Sequence, residues 1–435
     1  MTDVSAAPPP PKFSFLRDGT EIPSELDWDR GPETIRKAIG EALNARHVAF
    51  LLGAGCSSLK LADAELGIAT MQPLAKEFCA ASVAPAAAAA SGPPPWALSA
   101  EESSYLAEMG ISLVDPEYQR NLERLMEALH SLRFVLRRSL KPLHQDHATL
   151  VEAVIEKVKT FLWERCTNGA FAQGDAHVLD LYEQFYRKLV LRDRSLPRPW
   201  VFTTNYDLFN ERAMDRLGLP YANGFSGVVE RRFNPAMFRY ALAEQLDLSH
   251  RKWSAVDGFV YLCKLHGSIS WTEDDHGLFP IREQWPSHGA TKVMIYPTPA
   301  KQNSSLGSPY ADLFREFQFR IVREQSVLIT AGYAFGDEHL NHLIYQALTI
   351  PTFRLIIFAD PMSGGEIAKL RALRDPRIWI IGGDGPTDGL QAHYFDQIVS
   401  HFMPQRAPER IEAAVRKVLE SMGTVAVAPA GEEEA

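Results

Sequence analysis

No apolar run in this 435-residue sequence approaches the length needed to span a bilayer. The first twelve residues, Met1 to Lys12, lack the basic-then-apolar layout of a secretory signal. Cysteine is scarce: Cys56, Cys79, Cys166 and Cys263 stand far apart and form no C-x-x-C pair. That distribution fits a reducing cytoplasm and argues against structural zinc, so neither a membrane contact nor a metal site is expected. Basic residues are outnumbered, 45 to 54, for a net charge of −9. A chain of that balance is not an electrostatic nucleic-acid binder as a whole. The local cluster Arg133, Arg137, Arg138 and Lys141 reads most simply as a solvated helix face. There is also no Walker-type G-x-x-x-x-G-K-[ST] run and no internal repeat.

What is present is a long chain with 46% hydrophobic residues, enough for one large core or two domains. Residues 1–25 are proline-rich and read as a loose tail. A helix is expected over Pro32–Arg46 from the spacing of Ile35, Ile39 and Leu43. It feeds a strand from His47 to Leu52. An alanine tract and Ser91-Gly-Pro-Pro-Pro95 then mark a boundary. From about Glu101 to Lys188 the pattern is amphipathic and helical, with Leu122, Leu125, Met126 and Leu129 on one stripe. The spacing predicts an inserted helical module, set at 81–198, within a Rossmann-like domain made of 26–80 and 199–405. Further strands are expected near 200–204, 259–265, 326–331, 354–359 and 377–381. The fold class is therefore α/β: a parallel sheet with helices on both faces. Residues 271–300, with Trp271 and Trp285, read as a surface excursion. A helix at Pro408–Met422 and the acidic tail Gly431–Ala435 close the chain.

Four short motifs stand at apolar strand ends, where an open α/β sheet gathers its ligand crevice. In Phe50-Leu-Leu-Gly-Ala-Gly-Cys-Ser57, Gly53 and Gly55 allow close approach of a phosphate, and a following helix start would add amide donors. A tight turn with no ligand explains the same residues. Position 58 is Ser where G-x-G-x-x-G needs Gly, which disfavours an ordinary dehydrogenase. In Thr203-Thr-Asn-Tyr-Asp207, Asn205 offers a donor and an acceptor, whereas Asp207 suits either a ligand or the cap of the next helix. His266, before Gly267 and Ser268, has the chemistry of a general base, although a lone histidine is more often structural. Gly332-Tyr-Ala-Phe-Gly-Asp337 ends the fourth strand, and Asp337 reads as a helix cap. Asp360 stands where an acidic side chain contacts an adenosine ribose and disfavours NADP+, but before Pro361 it equally suits a turn.

Jointly these motifs resemble the sirtuin superfamily, and more closely its prokaryotic sirtuin-like NADase branch of antiphage defence systems. Gly53–Ser57 matches the sirtuin glycine motif, Thr203–Asp207 the T-N-Y-D form, Leu265–Ser268 the catalytic-histidine motif and Gly332–Asp337 a G-Y-S-F-x-D motif. Tyr221–Phe225 and Ile295–Lys301 extend the likeness. Ala334 departs from the pattern by replacing a serine expected at a phosphate. The zinc-ribbon cysteines of protein-deacylating sirtuins are absent. The resemblance implies NAD+ as substrate, cleaved to nicotinamide and ADP-ribose. Asn205 and His266 would be catalytic, with cofactor contacts from Gly53, Ala54, Gly55, Cys56, Ser57, Thr204, Asp207, Gly267, Gly332 and Tyr333. It further implies a homo-oligomer, or a partner such as a HerA-type ATPase or another phage-sensing subunit. Protein deacylation, ADP-ribosyl transfer and a nucleotide-sensing scaffold with little catalysis are the rival readings.

Overall fold

The computed structural model describes residues 11–61, 64–83, 94–167, 176–193, 195–247, 252–274, 280–285, 292–294 and 309–406, with single positions 409, 411 and 415. Most of the alanine tract, the Ile295–Lys301 motif, the first ten residues, the Pro408–Met422 helix and the acidic tail fall outside them or nearly so.

The central element is a nine-stranded sheet whose run of strands β3 (His47–Leu52), β6 (Trp200–Thr203), β12 (Val260–Lys264), β16 (Ser326–Ala331), β17 (Arg354–Phe358) and β18 (Ile378–Gly383) forms its body. The order is β2-β1-β18-β17-β16-β3-β6-β12-β7, with β1 at Lys12–Leu16, β2 at Ser24–Asp27 and β7 the two-residue strand Tyr221–Ala222. Every pairing from β18 to β7 is parallel. Such strands are covered on both faces, which is why they read as unbroken apolar runs. Along β3, Val48, Phe50 and Leu52 enter one core while Ala49 and Leu51 enter the other, the two-residue period of a strand.

One face is covered by helices Tyr310–Ile321, Glu338–Leu348 and Gly365–Ala372. The other takes α1 (Gly31–Ala42) and the inserted helices: α2 (Met71–Val83), α3 (Ala100–Glu108), α4 (Pro116–Arg120), α5 (Leu122–Arg138), α6 (Pro142–Thr167) and α7 (His177–Leu189). The insertion is not an isolated body. Phe185 of α7 stands edge-on to Phe50 of β3 at 5.2 Å, so insert and sheet share one continuous core. The predicted stripe Leu122, Leu125, Met126 and Leu129 is fully buried on α5.

Three expectations need correction. Residues 12–16 and 24–25, expected in the loose tail, belong to strands. Lys12–Leu16 (β1) pairs antiparallel with β18, and Ser24–Asp27 (β2) pairs with β1, because Phe13, Phe15 and Leu16 find apolar cover. No helix follows the glycine turn directly either: after a single 3-10 turn at Ala54–Cys56 the chain forms the hairpin β4 (Ser58–Leu61) and β5 (Ala64–Gly67), and α2 begins only at Met71. The excursion at 271–300 contains structure. Gly267–Glu273 (β13), Ile281–Glu283 (β14) and Lys292–Met294 (β15) join β8 (Phe225–Ser226) and β9 (Arg231–Phe233) in a five-stranded sheet, and Trp271 is buried against Phe225 and Phe233. A two-stranded ribbon, β10 (Ala243–Asp247) with β11 (Lys252–Ala255), projects separately.

Candidate active site

Parallel strands deliver their carboxyl ends to one edge of the sheet, and all four motifs lie there. The glycine turn follows β3, and its neighbour on one side is the Gly332 turn after β16. Gly53 N–H donates to the Ala331 carbonyl at 2.9 Å, and Gly55 N–H to that of Gly332 at 3.0 Å. A Cβ on Gly53 would sit 2.4 Å from the Gly332 carbonyl oxygen, and one on Gly332 would sit 2.5 Å from the Cys56 nitrogen. These glycines are therefore required by two turns that interlock main chain to main chain. The amides of Cys56 and Ser57 also donate within the turn, to Gly53 and Ala54. Most of the donors that a phosphate cradle would offer are thus spent within this turn or on the neighbouring one.

On the other side of β3, β6 ends in the Asn205 motif. The Asn205 Nδ2 donates to the Gly53 carbonyl at 2.9 Å and to Ser57 Oγ at 2.8 Å. Ser57 Oγ in turn donates to Asp207 Oδ2 at 2.6 Å, and Asp207 Oδ1 accepts from Phe209 N–H at 3.0 Å. Asp207 is therefore the acceptor that ties the glycine turn to the start of α8 (Phe209–Leu217). Its two oxygens are both engaged, but the N-cap of α8 is Leu208, with no side-chain cap bond, so Asp207 braces the turn before the helix rather than capping it. The Asn205 amide orientation is fixed by these two donations, and its Oδ1 has no partner among the described residues.

His266 follows β12, whose register places Lys264 beside Thr203. Asn205 and His266 thus each lie two residues beyond a paired position on neighbouring strands. The His266 ring is 5% exposed, and its Nε2 stands 3.0 Å from Asp337 Oδ2. Asp337 also caps the helix Glu338–Leu348, as the sequence predicts, with Oδ1 accepting from His339 and Leu340 N–H. The link to His266 has no counterpart in local sequence spacing, since 71 residues separate the two.

A second feature invisible in the sequence is the buried Lys264, 1% exposed. Its ammonium donates to the carbonyls of Tyr206 and Asp207 and lies 3.0 Å from Glu211 Oε1. The lysine so clamps the loop carrying Asn205 from beneath. Burial pushes the Glu211 carboxyl up to about 7, with Lys264 opposing the shift. Burial also raises the Cys56 thiol well above its ordinary value, and that thiol donates to the Ala331 carbonyl at 3.2 Å. Tyr182 of α7 brings its hydroxyl within 3.4 Å of Ser57 Oγ, linking the insertion to the same network.

Beside this network a cleft of about 1040 Å³ opens between the β16 and β17 ends. Gly55, Gly332, Tyr333 and Asp360 line it; Gly53, Ala54, Cys56, Ser57, Thr204, Asn205, Asp207, His266 and Gly267 do not. Ala334, in place of the expected serine, lines it as well. Asp360 does both things foreseen for it, accepting from Met362 N–H in a turn at 2.9 Å while facing the cleft. The carboxylates Glu338 and Glu366 join Asp360 in the wall, and among the described residues Lys369 is the one lysine or arginine lining it. The loop from Gly332 to Asp337 connects the cleft to His266.

Residues 199–359 match the SIR2-like domain family. The SIR2-like segment starts just before β6 and ends at Ala359, so it holds the motifs of Asn205, His266 and Asp337 but not the glycine turn. Among solved structures, one described as a basis for the mechanism and regulation of Sir2 enzymes shares 12% identity over 79% of this chain and 95% of its own, with a TM-score of 0.30. A Sir2 homologue mutant in complex with ADP-ribose shares 12% over 78% and 94%, with a TM-score of 0.29. No curated protein matches the sequence. Among the described residues no group of three or more His, Cys, Asp or Glu is placed to hold a metal ion, and no helix is long and apolar enough to cross a membrane.

Proposed function

We propose that this chain hydrolyses NAD+ at the nicotinamide–ribose bond, giving nicotinamide, ADP-ribose and a proton. The observation that carries the reading is the pair of acceptors at neighbouring strand ends. The Asn205 amide nitrogen is engaged in two donations, and neither its Oδ1 nor His266 Nδ1 has a partner among the described residues. Two fixed acceptors suit a sugar hydroxyl and an attacking water. Nicotinamide departs as a neutral molecule, so the leaving group needs little acid help. The protein's task is to position water and to stabilise positive charge developing on the ribose. His266 would take the proton from the water or a ribose hydroxyl, and Asn205 would orient it.

The adjoining cleft is at the upper end of the range of small-molecule sites, about 300–1,000 Å³. Its three carboxylates disfavour an added 2′-phosphate, which supports NAD+ over NADP+. The SIR2-like match over 199–359 supports an NAD-dependent activity. NAD+ depletion of this kind serves antiphage defence, and toxic turnover requires control. We place that control in self-assembly or a partner of the HerA-ATPase or phage-sensing type, acting through the helical insertion.

Chromatography of products from purified protein and NAD+, with and without its genomic neighbour, tests the reading. Release of nicotinamide and ADP-ribose is expected. His266→Ala should lower the rate by about 10²–10⁴ while the protein stays folded. Equal turnover in that variant would remove His266 from the chemistry, and O-acetyl-ADP-ribose from an acetylated peptide would favour a deacylase.

A further inference from the structure

Asp337 does more than a helix cap requires. One oxygen suffices for capping, and Oδ1 supplies it by accepting from both His339 and Leu340 N–H. A serine would serve as well there. The second oxygen, Oδ2, is held by this arrangement at 3.0 Å from His266 Nε2, with the two side chains 8% and 6% exposed. The carboxylate cannot rotate away without breaking its cap bonds. An ionised carboxylate has no proton to give and acts only as an acceptor.

The loop bearing it is rigid for reasons on its own surface. Phe335 is held at φ +56 and Gly332 at φ +59. Asn341 Nδ2 donates to the Phe335 carbonyl at 2.7 Å, and the Tyr333 hydroxyl donates to Asn341 Oδ1 at 3.2 Å. The loop therefore presents a fixed acceptor to an imidazole three strands away in the sheet.

We propose that Asp337 is a positioning residue that locks His266 in the tautomer with its proton on Nε2, leaving the Nδ1 lone pair to accept a proton at the reaction centre. An acceptor-only partner admits only an N–H at Nε2, so a neutral ring must carry its free lone pair on Nδ1. The cleft and the imidazole then share one element: the wall residues Tyr333 and Ala334 and the lock Asp337 belong to the same short loop. The kinetic part of this proposal rests on the NAD+ reading above; the tautomer itself does not.

The test uses the full chain with nitrogen-15-labelled histidine, His266 being assigned by the signal lost in His266→Gln. Asp337→Asn keeps Oδ1 for the helix amides but turns an amide donor toward Nε2. Asp337→Ser keeps a cap and removes the partner. The ring of His266 in the parent should show a protonated Nε2. In Asp337→Asn the proton should move to Nδ1, and in Asp337→Ser the preference should be lost, with thermal unfolding close to that of the parent. NAD+ turnover should fall by about 10²–10⁴ in Asp337→Asn, the range for loss of a working general base, and by less in Asp337→Ser, whose ring still samples the form protonated on Nε2, with little change in KM in either. An unchanged tautomer in both variants overturns the proposal, whether or not turnover falls. A parent that never cleaves NAD+ overturns the functional reading alone, and the spectra still decide on Asp337.

Discussion

Lys264 shows how much of this site depends on a side chain that touches no ligand position. A fully buried ammonium is tolerated because it meets Glu211 and two backbone carbonyls at once. Removing only the cation strands a buried carboxyl. Lys264→Met is therefore expected to destabilise the fold by about 3–5 kcal/mol in denaturant unfolding. Lys264→Met combined with Glu211→Leu should recover most of that loss, because the Tyr206 carbonyl keeps the Ile269 N–H at 3.0 Å. A double variant no more stable than the single one would show that the carbonyl clamp, not the ion pair, is what matters. Nothing in the run Leu262-Cys-Lys-Leu-His announces this: a lysine in a strand ordinarily reads as an edge or surface residue, and its partner lies 53 positions earlier.

At the scale of elements, the interlocked turns after β3 and β16 carry the clearest mechanical requirement. Gly332→Ala would place a methyl group 2.5 Å from the Cys56 nitrogen at a residue with φ +59. Overpacking of about 1–3 kcal/mol would add to a left-handed penalty of about 1–2 kcal/mol. The melting temperature should fall accordingly, and a variant as stable as the parent would show that the turns separate in solution. The same region shows what the sequence can disclose. Strand positions were legible because runs such as Leu355–Ala359 are apolar without interruption, and Asp337 was legible as a cap because its acceptor lies next to an amphipathic helix. The β4–β5 hairpin was hidden, since Leu59-Lys-Leu-Ala-Asp-Ala-Glu-Leu alternates too weakly to separate strand from loop. The β1–β2 edge was hidden for another reason: prolines before Lys12 suggested a tail, while the apolar cover for Phe13 comes from Phe402, nearly four hundred residues away. The acceptor joining His266 to Asp337 depends on strand order, which no local window contains.

For the whole molecule, the ionisation of Glu211 predicts an unusual pH trend. Its folded value, about 7, lies above the ordinary carboxyl value of 4.5, so the folded protein binds the extra proton between those limits. This group's contribution is complete below about pH 4.5 and is lost as the pH rises through 7. His47 and His130 pull the other way: burial lowers each to about 4, so their contribution grows as the pH rises from there toward 6.5. The informative measurement is thus a difference. The parent minus Glu211→Gln stability, followed by denaturant unfolding, should decline from pH 4.5 to 7 and level off above it. A flat difference would mean that Glu211 keeps its charge throughout.

The margins of the large sheet carry a consequence for how copies of this chain meet. On one side the outermost strand, β2, is four residues long and bears Glu25 and Asp27; on the other, β7 has only two residues. Short borders, one of them acidic, offer poor templates for a neighbouring backbone. A neighbouring copy would therefore meet this sheet through side chains rather than by lengthening it with another strand.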